Sequence, residues 1–169
     1  MKTEMLEENM DLIRKLKTLP VLHSFGVKDM SKLLSFSDVK KFSAGETIIA
    51  EGSYDTWVYF LVDGSVRIIK NGAEINTLRR TGDIFGEMCM IDGKPRSASI
   101  EALDDVTCVA TDVSFIVDRI YDEDKVAFCS IFYQMIAEVL ACRLRDTSSE
   151  LVKAKEKIKQ LKSVSSKGG

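Results

Sequence analysis

Apolar residues recur along this chain with different periods, and each period predicts a different kind of element. Residues 3–17 carry apolar side chains at helical spacing, and a second, short helix is predicted over Lys28–Ser35. From Val39 to Ala110 the apolar residues fall in short blocks that are rich in β-branched and aromatic side chains. The helical period then returns, and neither proline nor glycine interrupts residues 125–167, which predicts a long helix ending near Leu161.

Glycine-containing turns divide the middle of the chain into short strands. Asp63-Gly64 and Asn71-Gly72 separate apolar runs, and such pairs supply the positive φ angles that two-residue hairpin turns need. The segments "SASIEAL" and "VTCVATD" have the pattern of the last two strands. They meet at Asp104-Asp105, which is interpreted as a turn because no third polar group accompanies this acidic pair. Short strands with glycine turns predict a small β-sandwich or barrel.

The changes of period set the predicted domain boundaries. An N-terminal helical segment covers residues 1–36, and the β-domain covers residues 37–112. C-terminal helices follow over residues 113–162: a short amphipathic one, "VSFIVDRIY", and then the long helix from about residue 124. Residues 163–169 are expected to be a frayed tail.

Composition narrows the classes of function. The chain has 169 residues, 45% apolar and 30% charged, with a formal net charge of −2, which gives no global attraction to nucleic acid or to anionic membranes. No membrane partner is expected, since no apolar run approaches the roughly 20 residues of a membrane span. The N-terminus is charged and periodic, unlike a signal peptide, so a cytoplasmic location is predicted.

The side chains that could carry catalysis or hold a metal are few and scattered. The four cysteines form no CxxC pair and are expected to be buried free thiols, and the single histidine, His23, lacks companion ligands. Without a nucleophile–base arrangement, no enzymatic activity is predicted. No cofactor and no metal site are expected either.

A heptad pattern runs through the second half of the long helix. Its two interleaved sets are Ala137, Leu144, Leu151 and Ile158, and Leu140, Thr147, Ala154 and Leu161. This seam predicts a two-helix coiled coil between subunits, hence a homodimer, with a solvated helical tail as the alternative. The lysines between residues 153 and 167 are interpreted as a solvated face rather than a nucleic-acid surface, because Glu150 and Glu156 interrupt them and no aromatic residue interleaves.

The segment "IFGEMCMIDGKPRSASI", residues 84–100, carries a carboxylate and a guanidinium in an apolar frame. Glu87 and Arg96 could form a structural ion pair or two halves of a ligand clamp. Gly86 would allow close backbone approach, and the N–H groups of Glu87, Met88 and Cys89 would favour an anion. Arg96 has the planar fork that matches phosphate oxygens, Ser97 can donate one more hydrogen bond, and a carboxylate accepts from a sugar hydroxyl. Both readings remain open on these grounds.

The same segment resembles the phosphate-binding cassette of the cyclic nucleotide-binding domains, of the form F-G-E-[LM]-x-[LI]-…-P-R-x-A-[ST]-[VI]. Upstream, "FSAGETIIAEG" and "YFLVDGSVRI" also follow the family pattern, and the resemblance extends over about Leu19 to Leu151. It implies an α+β, mainly β fold: an eight-stranded antiparallel, jelly-roll-like β-roll flanked by N-terminal helices and a long C-terminal helix. The cassette residues implied to form the ligand site are Phe85, Gly86, Glu87, Met88, Cys89, Pro95, Arg96, Ser97 and Ala98.

A second resemblance concerns the base of the nucleotide. "RLRDTSSELV" is similar to the long-helix segment of the catabolite activator protein family, in which a Thr-Ser pair touches adenine, and the matching residues are Thr147 and Ser148. These residues favour cAMP, whereas the Ser97 hydroxyl beside Arg96 keeps cGMP as a candidate. The resemblances together imply a free-standing, non-catalytic sensor that signals through its C-terminal helix to a partner that the sequence does not name.

Two alternative functions stay open. One is a dimeric interaction scaffold that works without a ligand. The other is a DNA-binding regulator, although the lysine-rich end of the chain fits no recognition helix of the helix-turn-helix type.

Overall fold

A computed structural model describes residue 22, residues 25–114 and residues 123–165, with side chains described from residue 126 to 162 in the last of these ranges. Several predictions fall outside this part of the chain. They are the helix over residues 3–17, the surroundings of His23, all but the first two residues of "VSFIVDRIY", and the end of the tail.

Eight strands in the described residues form two four-stranded antiparallel sheets, as the resemblance implied. The strands are β1 (Ser37–Phe42), β2 (Thr47–Ile49), β3 (Trp57–Asp63), β4 (Val66–Lys70), β5 (Ala73–Leu78), β6 (Ile84–Phe85), β7 (Ser99–Ala102) and β8 (Val106–Asp112). The order is β1-β8-β3-β6 in one sheet and β2-β7-β4-β5 in the other. Helix α1 covers Val27–Ser35, α2 covers Met88–Asp92 and α3 covers Glu123–Ser165.

The core lies between the inner faces of the two sheets. Side chains of β3 and β8 alternate, so that Tyr59, Leu61 and Cys108 pack with Ile100 of the other sheet. The opposite face of β3 is buried as well, since Val58 and Phe60 have no exposed surface. Burial on both faces explains why "WVYFLVD" has the nearly continuous apolar sequence of a central strand.

The two turns that the sequence suggested are different in kind. Asn71, at φ 50°, and Gly72, at φ 78°, close a hairpin between β4 and β5, as predicted. The hairpin reading of Asp63-Gly64 is wrong, because β3 and β4 lie in different sheets. Gly64 is needed there for space: a Cβ atom would come within 2.5 Å of the Asp105 carbonyl oxygen, where the β7–β8 connection crosses.

The Asp104-Asp105 pair is structural, in agreement with its interpretation as a turn. Asp104 accepts hydrogen bonds from the N–H of Ser65 at 2.7 Å and from its hydroxyl at 2.6 Å. The four cysteines are free, as predicted, although Cys142 is exposed and Cys108 is fully buried.

The chain divides into two compact units, and the division falls inside α3, between Phe132 and Tyr133. In the first unit, Phe128 and Phe132 are buried, and their rings meet Phe25 edge-to-face at centroid distances of 6.0 and 6.5 Å. In the second unit, the helix exposes apolar side chains of the predicted seam. Leu144, Leu151, Ile158 and Leu161 are each more than half exposed.

The long helix corrects one expectation about apolar runs. Among the described residues, the segment Val126–Lys162 contains an 18-residue window with a mean hydropathy of 1.4, so its length and composition alone would suffice to cross a membrane. Phe128 and Phe132, however, show the packing of an amphipathic helix on a globular core.

Candidate functional site

The cassette between β6 and β7 is a tight backbone excursion shaped by two glycines. Gly86 has φ +81°, and Glu87 is the N-cap residue of α2, a helix of 5 residues. Gly93 ends α2 in the left-handed conformation at φ 64°, and its N–H donates to the Cys89 carbonyl at 2.9 Å. A short arm of residues 94–98 then leads into β7.

Neighbouring protein atoms leave no space for a side chain at Gly86. A Cβ atom at this position would lie 2.7 Å from Arg96 Nη1 and 2.9 Å from the Trp57 carbonyl oxygen. At Gly86 the cassette therefore approaches its own protein closely, and the close approach of a ligand to this backbone stays a prediction. The approach to Arg96 allows the Gly86 carbonyl to accept a hydrogen bond from Arg96 Nη1.

The guanidinium of Arg96 is buried, and its residue is only 4% exposed. Nε and Nη2 donate to the two carboxylate oxygens of Asp55, with 3.0 Å between Nε and Oδ2. Nη2 also donates to the Trp57 carbonyl oxygen at 2.6 Å. This bidentate geometry matches a planar guanidinium to a carboxylate, and it would equally match a phosphate.

Asp55 is the functional candidate that sequence reasoning missed. It lies 41 positions before Arg96, in the β2–β3 connection, and no local pattern marks it as a partner. Burial would raise the pKa of this carboxyl group, but hydrogen bonds from Arg96 and from the Trp57 N–H hold the pKa below its ordinary value. The carboxylate therefore stays charged beside the guanidinium.

The main chain of the arm is held as firmly as the Arg96 side chain. The Gly52 N–H donates to the Arg96 carbonyl at 2.8 Å, and the Arg96 N–H donates to the Ser53 carbonyl at 2.9 Å. Two neighbouring peptides of the β2–β3 connection thus fix both backbone polar groups of Arg96. Together with the contact to Asp55, they orient the guanidinium before any ligand arrives.

The other predicted cassette residues fall into three groups. Glu87 is 2% exposed, which is unusual for a carboxylate and consistent with a role at the site. Met88, Pro95 and Ser97 are exposed, and Ala98 is half-buried. The Ser97 hydroxyl lies 3.5 Å from Met88 Sδ, so the two ends of the cassette meet across this contact.

The side chains of two further predicted site residues, Phe85 and Cys89, contact the protein itself. Phe85 is a core residue, 1% exposed, and its ring stacks on Tyr59 at 5.0 Å between centroids. Its side chain therefore packs in the core next to the cassette. The Cys89 thiol donates to the carbonyl oxygens of Asp55 and Gly86, each at 3.5 Å, and burial raises its pKa.

A cavity of about 420 Å³ lies beside α2. Tyr54, Asp55, Cys89 and Met90 contribute to its lining, whereas Gly86, Arg96 and Ser97 do not. Asp55 therefore lies between this cavity and the Arg96 guanidinium.

Thr147 and Ser148 belong to the second compact unit, on an exposed part of α3. The cassette belongs to the first unit. The structure thus places the two halves of the predicted ligand site in separate units, and the contact of Thr147 and Ser148 with adenine stays a prediction.

Known proteins share this sequence pattern and this fold. Residues 39–118 match the family described as the cyclic nucleotide-binding domain. The cAMP-dependent protein kinase regulatory subunit of Aspergillus niger is 41% identical over 93 residues, which cover 54% of this chain and 22% of the relative. The matched part is thus only about a fifth of that relative's length.

Solved structures extend the likeness to most of the chain. A cyclic nucleotide-binding domain from Methylobacillus flagellatus has a TM-score of 0.71 at 19% identity, covering 88% of this chain and 84% of its own. The catabolite activator protein of Thermus thermophilus has a TM-score of 0.60 at 26% identity, covering 80% of this chain and 63% of its own. The resemblance predicted from the cassette is confirmed, since residues 39–118 of this chain match the cyclic nucleotide-binding domain family.

Proposed function

We propose that this chain is a non-catalytic regulatory module that binds cAMP in preference to cGMP. The observation that carries the proposal is the buried guanidinium of Arg96, which is fixed in position beside Gly86 and Glu87. Arg96 would bind the oxygens of the cyclic phosphate, and Ser97 would donate from its hydroxyl. Glu87 would accept a hydrogen bond from the ribose 2′-OH.

Because Arg96 already binds Asp55, a cyclic phosphate would have to share the hydrogen bonds of Arg96 with this carboxylate. Asp55 already neutralises Arg96, and a cyclic phosphate brings a second negative charge to the same fork. Binding must therefore redistribute the hydrogen bonds of Arg96 between the two anions. Since Asp55 also lies in the β2–β3 connection, this local change would reach the backbone that holds the arm.

The choice of base has weaker support than the phosphate site. The relative from Aspergillus niger is named as a regulatory subunit of a cAMP-dependent kinase, which favours cAMP. Thr147 and Ser148 favour adenine through the second resemblance. The exposed Ser97 hydroxyl next to Arg96 keeps cGMP as the competing ligand.

The module would signal through α3, and two copies of this helix would form a homodimer. The proposed interface is the seam of Ala137, Leu140, Leu144, Leu151, Ile158 and Leu161. Leu144 and Leu161, at 69% and 62% exposed, are apolar surface that a second copy of the helix would cover. Thr147 and Ala154 weaken the seam, so the dimer would be marginal without further contacts.

The names of the relatives support one class of downstream partner. Because they are regulatory subunits of a protein kinase, a kinase catalytic subunit is a reasonable partner class to test, and the expected location is the cytoplasm.

Calorimetric titration of the full chain with cAMP and with cGMP tests the function. We expect saturable binding of both, with cAMP the tighter ligand, and stabilisation of about 2.7 kcal/mol at a ligand concentration 100 times the dissociation constant. Absence of heat and of a thermal shift with either nucleotide would contradict the proposal and favour the ligand-independent scaffold. Sizing with and without ligand then tests the dimer.

A further inference from the structure

An ion pair between Glu51 and Lys70 reaches from the β4–β5 hairpin to the cassette arm. Lys70, the last residue of β4, donates from Nζ to Glu51 Oε1 at 2.6 Å and also to the main-chain carbonyl of Ser97. Glu51 Oε2 accepts the N–H of Asn71, in the hairpin turn, at 3.0 Å. One ammonium group therefore links the hairpin to the residue that follows Arg96.

The sheet register explains how these groups meet. Strand β7 lies between β2 and β4, with Ile100 opposite Ile49 on one side and Ser99 opposite Ile69 on the other. Glu51 follows β2 and Lys70 ends β4, so the two side chains flank the chain as it enters β7. The Glu51 N–H adds a hydrogen bond to the Ser99 hydroxyl at 2.9 Å.

We propose that Lys70 is a positioning residue for the phosphate-binding arm. By holding the Ser97 carbonyl, it fixes the peptide that follows Ser97 and, with it, the Ser97 hydroxyl that would meet the cyclic phosphate. Without this contact the arm has more conformations in the free protein, and ligand binding must order it. The inference rests on the proposed function, because its effect is on nucleotide affinity.

A second ion pair on the same sheet offers a matched control. Arg67 on β4 binds Glu101 on β7 at 2.8 Å, and the register places the two residues opposite each other. Its side chains are 40% and 25% exposed, against 43% and 29% for Lys70 and Glu51. The two pairs should therefore make similar, small contributions to stability, while Lys70 also contacts the cassette.

The experiment compares Lys70→Met, Lys70→Arg and Arg67→Met in the full chain, by calorimetric titration with cAMP and cGMP and by thermal unfolding. We expect Lys70→Met to weaken both nucleotides by about 3- to 10-fold, the effect of losing one partly exposed charge-assisted hydrogen bond. Both nucleotides should lose affinity because the cyclic phosphate is common to them. Lys70→Arg and Arg67→Met should each stay within about twofold of the parent affinity.

Thermal unfolding separates positioning from general stability. A purely structural role would lower the melting temperatures of Lys70→Met and Arg67→Met alike and leave both affinities near that of the parent. The inference is overturned by that result, by equal affinity losses in both variants, or by a loss confined to one nucleotide. If the parent chain binds neither nucleotide, the proposed function itself fails and this inference fails with it.

Discussion

The cassette and the second half of α3 depart from the usual distribution of side chains in opposite directions. In the cassette, a carboxylate and a guanidinium are buried: Glu87 is 2% and Arg96 4% exposed. In α3, large apolar side chains such as Leu144 and Leu161 are exposed. Buried charges cost free energy unless they are paired, and exposed apolar side chains forgo the gain from burial.

The two regions differ in whether their unusual side chains find partners within the same unit. The cassette pairs its arginine with groups from its own unit, Asp55 above all, so the guanidinium is held in one position. The seam on α3 offers one half of a contact and needs a second surface. Substitutions in the cassette should therefore change the affinity for the ligand. Substitutions in the seam should change the association of two copies of the chain.

The largest expected effect is at Arg96. Arg96→Ala removes the guanidinium from the phosphate site and should cost about 2–5 kcal/mol of binding, or roughly 30- to several-thousand-fold in affinity for cAMP. Arg80→Ala, at an exposed arginine in the β5–β6 turn, is the control and should bind as the parent does. Equal affinities of the two variants, measured by calorimetry, would remove Arg96 from the site.

Two neighbouring residues of similar exposure test the seam, because only one of them belongs to it. Leu151 is 53% exposed and belongs to the heptad, whereas Val152 is 55% exposed and does not. Leu151→Asp should raise the dimer dissociation constant by about 100-fold, since two copies each lose about 1.5 kcal/mol of burial. Val152→Asp should leave it nearly unchanged. Analytical ultracentrifugation measures both, and similar effects at the two positions would contradict the predicted seam.

The ion pair at the cassette should show in the pH dependence of stability. Asp55→Asn leaves Arg96 buried without its counter-charge and should cost about 1–3 kcal/mol at neutral pH, less than a fully buried pair because the Asp55 side chain is 32% exposed. Since folding lowers the pKa of Asp55, its contribution is present above the ordinary value of 3.8 and is lost as pH falls through the lower value of the folded protein.

Urea unfolding between neutral and acidic pH measures the gap, which is the difference in the free energy of unfolding between the parent and Asp55→Asn. We expect it to narrow in acid, and a gap that does not change with pH would show that charge is not the reason for the loss.

The smallest effect concerns the two cassette glycines. Both have positive φ, but a Cβ at Gly86 meets Arg96 Nη1 at 2.7 Å, while a Cβ at Gly93 meets nothing within 4 Å. Gly93→Ala pays only for the backbone conformation, and Gly86→Ala should cost about 1–2 kcal/mol more from crowding. Chemical unfolding of both variants tests this order, and the reverse order would contradict the described approach of Gly86 to Arg96.

Local patterns predicted the elements better than their connections. The bounds of α1 and of the long helix, and the hairpin at Asn71-Gly72, were close to those observed because helical period and turn chemistry act over a few residues. The Asp63-Gly64 turn was misread because a positive φ angle does not say to which sheet the next strand belongs. Similarly, the cassette motif pointed to Arg96 but contained nothing about Asp55.

The sequence by itself determined the helices, several of the strands, and the cassette with its glycines, because each has a pattern among neighbours along the chain. The count of eight strands came from the family resemblance. Only the tertiary structure decided which carboxylate meets Arg96, why Phe85 lies in the core, and how Lys70 reaches Ser97 from another strand. These contacts join residues 26 to 41 positions apart, brought together by the order of strands in two sheets. Their energies depend on that proximity, which no period or short motif encodes.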